Sequence, residues 1–138
     1  MIIISRCVTV SKTIEEVNEI LRGSAYPLIK PSFYQNYFSI RVVRKYPGRG
    51  FRIIPIKGSI VASKDYIKVI MEIHVESTVV IGAILVLLGL VGLLWCYVCS
   101  SERWLPFVGS AIIGIIIILE FIWDTKDVLD QLENKLQR

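Results

Sequence analysis

The chain has 138 residues, a formal net charge of +4 and 54% hydrophobic residues. That apolar content exceeds the roughly 45–50% of an ordinary soluble chain, and the length allows one small domain besides any membrane segment. Three cysteines, Cys7, Cys96 and Cys99, and a single histidine, His74, exclude a disulfide framework and a zinc-finger spacing.

Residues 2–10 read as a strand. A helix follows, opened by a Thr13/Glu16 capping box. Ile14, Val17, Ile20 and Leu21 make its apolar face, and Arg22-Gly23 stops it. Residues 24–32, with Pro27 and Pro31, are expected to be a loop. Residues 37–44 alternate as a strand and lead into the turn 46–50. Residues 51–61 form the next strand, in which Pro55 implies an edge or bulge and Gly58 a bend or a close approach. After a turn at 63–65, residues 66–76 alternate most clearly, with Ile67, Val69, Met71, Ile73 and Val75 on one face.

Two apolar segments then change the character of the chain. Residues 77–99 carry no charge, and residues 104–123 carry only Glu120. A helix of the first length rises about 34 Å at 1.5 Å per residue, enough for a hydrocarbon core of about 30 Å. Both segments are therefore expected to be transmembrane helices. The short link 100–103 makes them antiparallel neighbours. Trp95, Tyr97 and Trp104 at one end and Trp123 at the other sit where interfacial aromatic residues belong. The expected fold is an α+β membrane protein. A small antiparallel sheet with one helix (1–76) precedes a transmembrane hairpin (77–123), and a C-terminal amphipathic helix (124–138) follows.

Twelve Lys/Arg precede residue 77, three follow Trp123, and one, Arg103, lies in the link. The positive-inside rule places both termini in the cytoplasm of a multi-pass plasma-membrane protein. The start of the chain lacks the basic region and apolar length of a signal peptide, so the first domain is not expected to be exported.

Gly82, Gly89 and Gly92 in the first apolar helix, and Ser110 and Gly114 in the second, are small residues suited to helix packing. They are expected to pack the hairpin on itself, with a second copy or another membrane protein as the alternative. Cys96 and Cys99 are read as packing residues, and Glu120 as reaching the cytoplasmic interface. His74 between Glu72 and Glu76 is read as a polar sheet face. No catalytic residue, metal site or cofactor is expected. Residues 1–76 hold twelve Lys/Arg against six Asp/Glu. Arg41, Arg44, Lys45, Arg49 and Arg52 crowd one hairpin as a candidate surface for an anionic leaflet or a partner. Nucleic acid is not expected, because no aromatic-basic motif accompanies them.

Phe38-Ser39-Ile40, residues 54–60 (P-x-x-G-x-I) and residues 67–74 (I-x-V-x-M-x-I-H), followed by an apolar hairpin and a charged tail, resemble a family of small uncharacterised bacterial two-helix membrane proteins. The resemblance covers roughly residues 33–136. The chain departs from it at 48–51, where that family often carries an Asn-Ser pair. It implies a cytoplasmic α+β domain and no known activity. The element order is also similar to helix-grip lipid-binding folds, an analogy of fold alone. The expected function is a membrane-anchored, non-enzymatic interaction or regulatory protein at the inner membrane, toxin immunity being one version. The alternatives are a lipid or small-amphiphile binder with a cavity between sheet and tail, and a small oligomeric channel or transport accessory.

Overall fold

A computed structural model describes residues 2–48 and 50–138. The element order is β1 (Ile2–Val10), α1 (Ile14–Ser24), β2 (Ser32–Tyr34), β3 (Tyr37–Tyr46), β4 (Gly50–Ala62), β5 (Ile67–His74), α2 (Ser77–Val98) and α3 (Leu105–Gln137). The chain divides into two compact units, one of residues 1–74 with 124–138 and one of residues 75–123. The tail therefore belongs with the sheet, although it continues the second apolar helix without a break.

In the first unit the described strands form one antiparallel sheet in the order β1-β5-β4-β3-β2. The last strand of the sequence thus sits beside the first. Strand β2 lies at the end of the stretch expected to be irregular. It pairs with β3 through a two-residue turn in which Gln35 adopts φ +51°. Pro55 opposes Arg41 of β3, and β4 pairs with β5 only from Lys57 onward. Pro55 thus sits where β4 has one neighbour, and its missing N–H leaves no gap in the ladder.

Helix α1 begins with the capping box. Thr13 Oγ1 accepts from the Glu16 amide at 3.3 Å, and Glu16 Oε2 accepts from the Thr13 amide at 2.9 Å. Alternation along the strands sends Val8, Val10, Ile54, Ile56, Val69, Met71 and Ile73 to one face. Val17 and Leu21 of α1, and Val128, Leu129, Leu132 and Leu136 of α3, are also buried. The amphipathic stripe of the tail thereby has its cover within this unit. A fully buried Leu contributes roughly 1.5–3 kcal/mol, so these residues are a main source of the unit's stability.

The second unit is a helical hairpin. Its seam is built where side chains are smallest. A Cβ on Gly114 would lie 2.5 Å from the Gly82 carbonyl oxygen, and one on Gly89 2.7 Å from the Phe107 carbonyl oxygen. The Phe107 ring occupies the space a Cβ on Gly92 would need. Ser110 Oγ donates to the Leu85 carbonyl at 2.9 Å, joining the two helices. The outward faces are apolar and uncovered: Leu87, Leu94, Ile113 and Leu119 are all exposed. Both helices are long and apolar enough to cross a membrane.

Candidate interaction surfaces

The two faces of the sheet carry different electrostatics, and strand alternation decides which basic residue goes where. Along β3, Phe38, Ile40 and Val42 point to the covered face, so Arg44 and Tyr46 follow them there. Along β4, Arg52 precedes the buried Ile54 and Ile56 on that same face. Arg44 and Arg52 are direct cross-strand partners, an arrangement in which like charges repel. Asp124 of α3 resolves the conflict. Its carboxylate lies 3.0 Å from Arg44 Nε and 3.4 Å from Arg52 Nη1, and it accepts a hydrogen bond from the Tyr46 hydroxyl. Asp124 is only 5% exposed, so these partners replace the water it gives up.

The same helix face continues the pattern. Asp127 pairs with Arg44, and Asp130 and Glu133 pair with Arg6 of β1, Glu133 at 3.0 Å. The hydrogen bond that Arg6 donates to Asp130, together with the two nearby negative charges, holds its guanidinium above its already high value against the opposing effect of burial. Burial, and then the bond to Asp124, pushes the Tyr46 phenol up from its ordinary value near 10. The outcome is a clamp: four carboxylates spaced three residues apart on α3 meet three arginines and a tyrosine from β1, β3 and β4.

The open face of the sheet is otherwise composed. Arg41 and Lys45 of β3, Lys57 of β4 and Lys68 of β5 are exposed there, with Glu72 as the acidic residue among them. The five basic residues singled out by sequence are thus not one patch. Arg44 and Arg52 are engaged by the tail, Arg41 and Lys45 face the opposite side, and Arg49 lies outside the described residues. The acidic stripe of the tail, which completes the clamp, is the feature sequence reasoning missed. Its signal is the i, i+3 spacing of Asp124, Asp127, Asp130 and Glu133 beside the apolar stripe.

Ser32, Tyr34, Tyr37, Ser39, Lys57, Ser59, Glu72 and His74 surround a concavity of about 350 Å³ in this first unit, with Phe38 and Gly58 also lining it. His74 Nε2 stands 3.9 Å from Glu72 Oε2, beyond hydrogen-bond reach. Among the described residues no group of three or more His, Cys, Asp or Glu side chains could hold a metal ion. In the second unit Gly82, Gly89, Gly92 and Cys96 are buried, Cys99 is exposed, and Glu120 is exposed. The Cys96 thiol points to the Arg103 carbonyl at 3.6 Å.

No family model matches the chain, and no curated protein or solved structure matches it either.

Proposed function

We propose that the chain is a membrane-anchored, non-enzymatic interaction or regulatory protein. The hairpin spans the inner membrane twice, both termini are cytoplasmic, and the α+β unit works at the inner leaflet. The observation that carries this reading is the distribution of side chains on the hairpin. Small residues line the seam, and the outward surface is apolar as far as Glu120 near the end of the second helix, with Leu94 64% exposed. A contiguous apolar surface of that extent in water is an aggregation hazard, whereas lipid solvates it. Support for a regulatory rather than chemical role comes from the clamp, which spends the unit's most buried charges on holding the tail. Lys57, Lys68, Arg41 and Lys45 are left on the open face for a partner or an anionic leaflet.

Alkaline carbonate extraction of membranes from cells making the full chain tests the anchor. The protein stays in the pellet under this reading, and its release into the supernatant overturns it. Affinity capture in mild detergent then compares the native chain with an Arg41→Glu/Lys45→Glu/Lys68→Glu variant. Co-purifying protein or anionic lipid is lost in the variant if the open face is the working surface, and undiminished capture shows that it is not.

A further inference from the structure

We propose that the concavity on the open face binds a zwitterionic phosphate ester of the phosphoethanolamine class. The site is made by register. Ser32 opposes Ser39, Ser39 opposes Lys57, and Lys57 opposes Glu72, so one row crosses β2, β3, β4 and β5 with hydroxyl, hydroxyl, ammonium and carboxylate in order. In the next row Tyr34 opposes Tyr37 and Tyr37 opposes Ser59. Three serines on adjacent strands leave a depression among longer side chains, and Gly58 lies between Lys57 and Ser59 in its lining. Tyr34 and Tyr37, 70% and 64% exposed, line its side.

The chemistry of the lining selects the ligand. Three serine and two tyrosine hydroxyls with the Lys57 ammonium are a donor-rich set, and none of these side chains has a hydrogen bond or ion pair to another described residue. A phosphate offers several acceptor oxygens to such a set. Glu72 would repel a simple anion, but it stands on the strand next to Lys57, roughly 4.8 Å across the sheet. A ligand whose ammonium lies a two-carbon linker away from its phosphate reverses that order of charges: phosphate over Lys57 and Ser39, ammonium over Glu72. The volume is at the lower end of small-ligand sites, about 300–1,000 Å³, which suits a head group rather than an acyl chain. The group comes either from a phospholipid or from the free ester.

The test uses the full chain in detergent micelles. Titration calorimetry with O-phosphoethanolamine should show saturable binding, weakened about tenfold or more by Lys57→Gln. Glu72→Gln should erase the preference over inorganic phosphate. Ser39→Trp, which fills the depression without changing charge, should abolish binding while circular dichroism shows an unaltered thermal midpoint. Native mass spectrometry after exposure to equal phosphatidylethanolamine and phosphatidylglycerol gives the lipid arm. Retention of phosphatidylethanolamine by the native chain but not by Lys57→Gln assigns the lipid source, and binding of the free ester alone assigns the soluble one. Absence of both, or binding equal in the native chain and all three variants, overturns the proposal. The calorimetric arm does not depend on membrane insertion, so its failure is distinguishable from release in carbonate.

Discussion

The hydroxyl of Tyr46 in β3 donates to the carboxylate of Asp124 in α3, and that carboxylate also faces the guanidinium groups of Arg44 and Arg52. Residues 78 positions apart in the chain are thereby joined at a carboxylate that is only 5% exposed. The relationship explains why the tail belongs to the sheet unit. It also predicts that Asp124 is the clamp's most sensitive member.

Asp124→Asn removes the charge while keeping the shape. Arg44 keeps its pairing with Asp127, but the buried carboxylate that Arg44 and Arg52 share is gone. Breaking a buried pair from one side costs about 3 kcal/mol. Chemical denaturation followed by circular dichroism should show a loss of that order. A loss below about 0.5 kcal/mol, the usual effect of a neutral surface change, would show that the clamp is not holding the tail.

Tyr46→Phe separates the hydrogen bond from the packing. Near pH 8 the variant should be less stable by about 1.5 kcal/mol, the scale of a hydrogen bond to a charged acceptor. The folded-state value of the phenol is raised above that of the unfolded chain. The stability linked to its proton is therefore complete below pH 10 and is lost as pH climbs through the folded value. The native chain should lose stability more steeply than the variant above pH 10, so the gap between them narrows. Parallel denaturation midpoints across that range would contradict this assignment.

Two glycines test the hairpin seam against its surroundings. A Cβ at Gly114 meets the Gly82 carbonyl at 2.5 Å, whereas one at Gly109 meets nothing within 4 Å. Gly109→Ala should raise the thermal midpoint, since alanine is better in a helix by about 0.8–1.0 kcal/mol. Gly114→Ala should lower it by forcing the helices apart. Equal effects would show that the seam is elsewhere.

Gly58 and Gln35 make a similar pair in the sheet. A Cβ at Gly58 would lie 2.1 Å from the Ile70 carbonyl oxygen and 2.5 Å from the Phe38 ring, so Gly58→Ala should cost more than about 2 kcal/mol. Gln35 holds a positive φ that side chains resist. Gln35→Gly should stabilise by relieving a strain of about 1 kcal/mol. Both are read from denaturation midpoints.

Much of this architecture was legible before any coordinates. The alternation of residues 66–76, the Thr13/Glu16 box and the two long apolar stretches each carry a local physical signal, and each corresponds to an element. The unread parts are those whose cause is not local. Strand β2 is three residues long, and its turn uses Gln35 where a glycine would have announced a positive φ. The continuity of α3 past Trp123 is hidden because the sequence changes from apolar to amphipathic there. The clamp required knowing that Arg44 and Arg52 share a face with Tyr46, which parity gives, and that α3 crosses that face, which parity does not. The serine row has no spacing in sequence at all; only the pairing of β2, β3 and β4 assembles it.

The central claim is that the hairpin spans a membrane with both termini on the cytoplasmic side, and thiol labelling in intact cells tests it most directly. In a Cys7→Ser/Cys96→Ser chain, an impermeant maleimide should label Cys99 from outside. In a Cys7→Ser/Cys96→Ser/Cys99→Ser chain carrying Ser63→Cys in the β4–β5 turn, labelling should occur only after permeabilisation. Labelling of Ser63→Cys in intact cells, or protection of Cys99 there, would contradict the account.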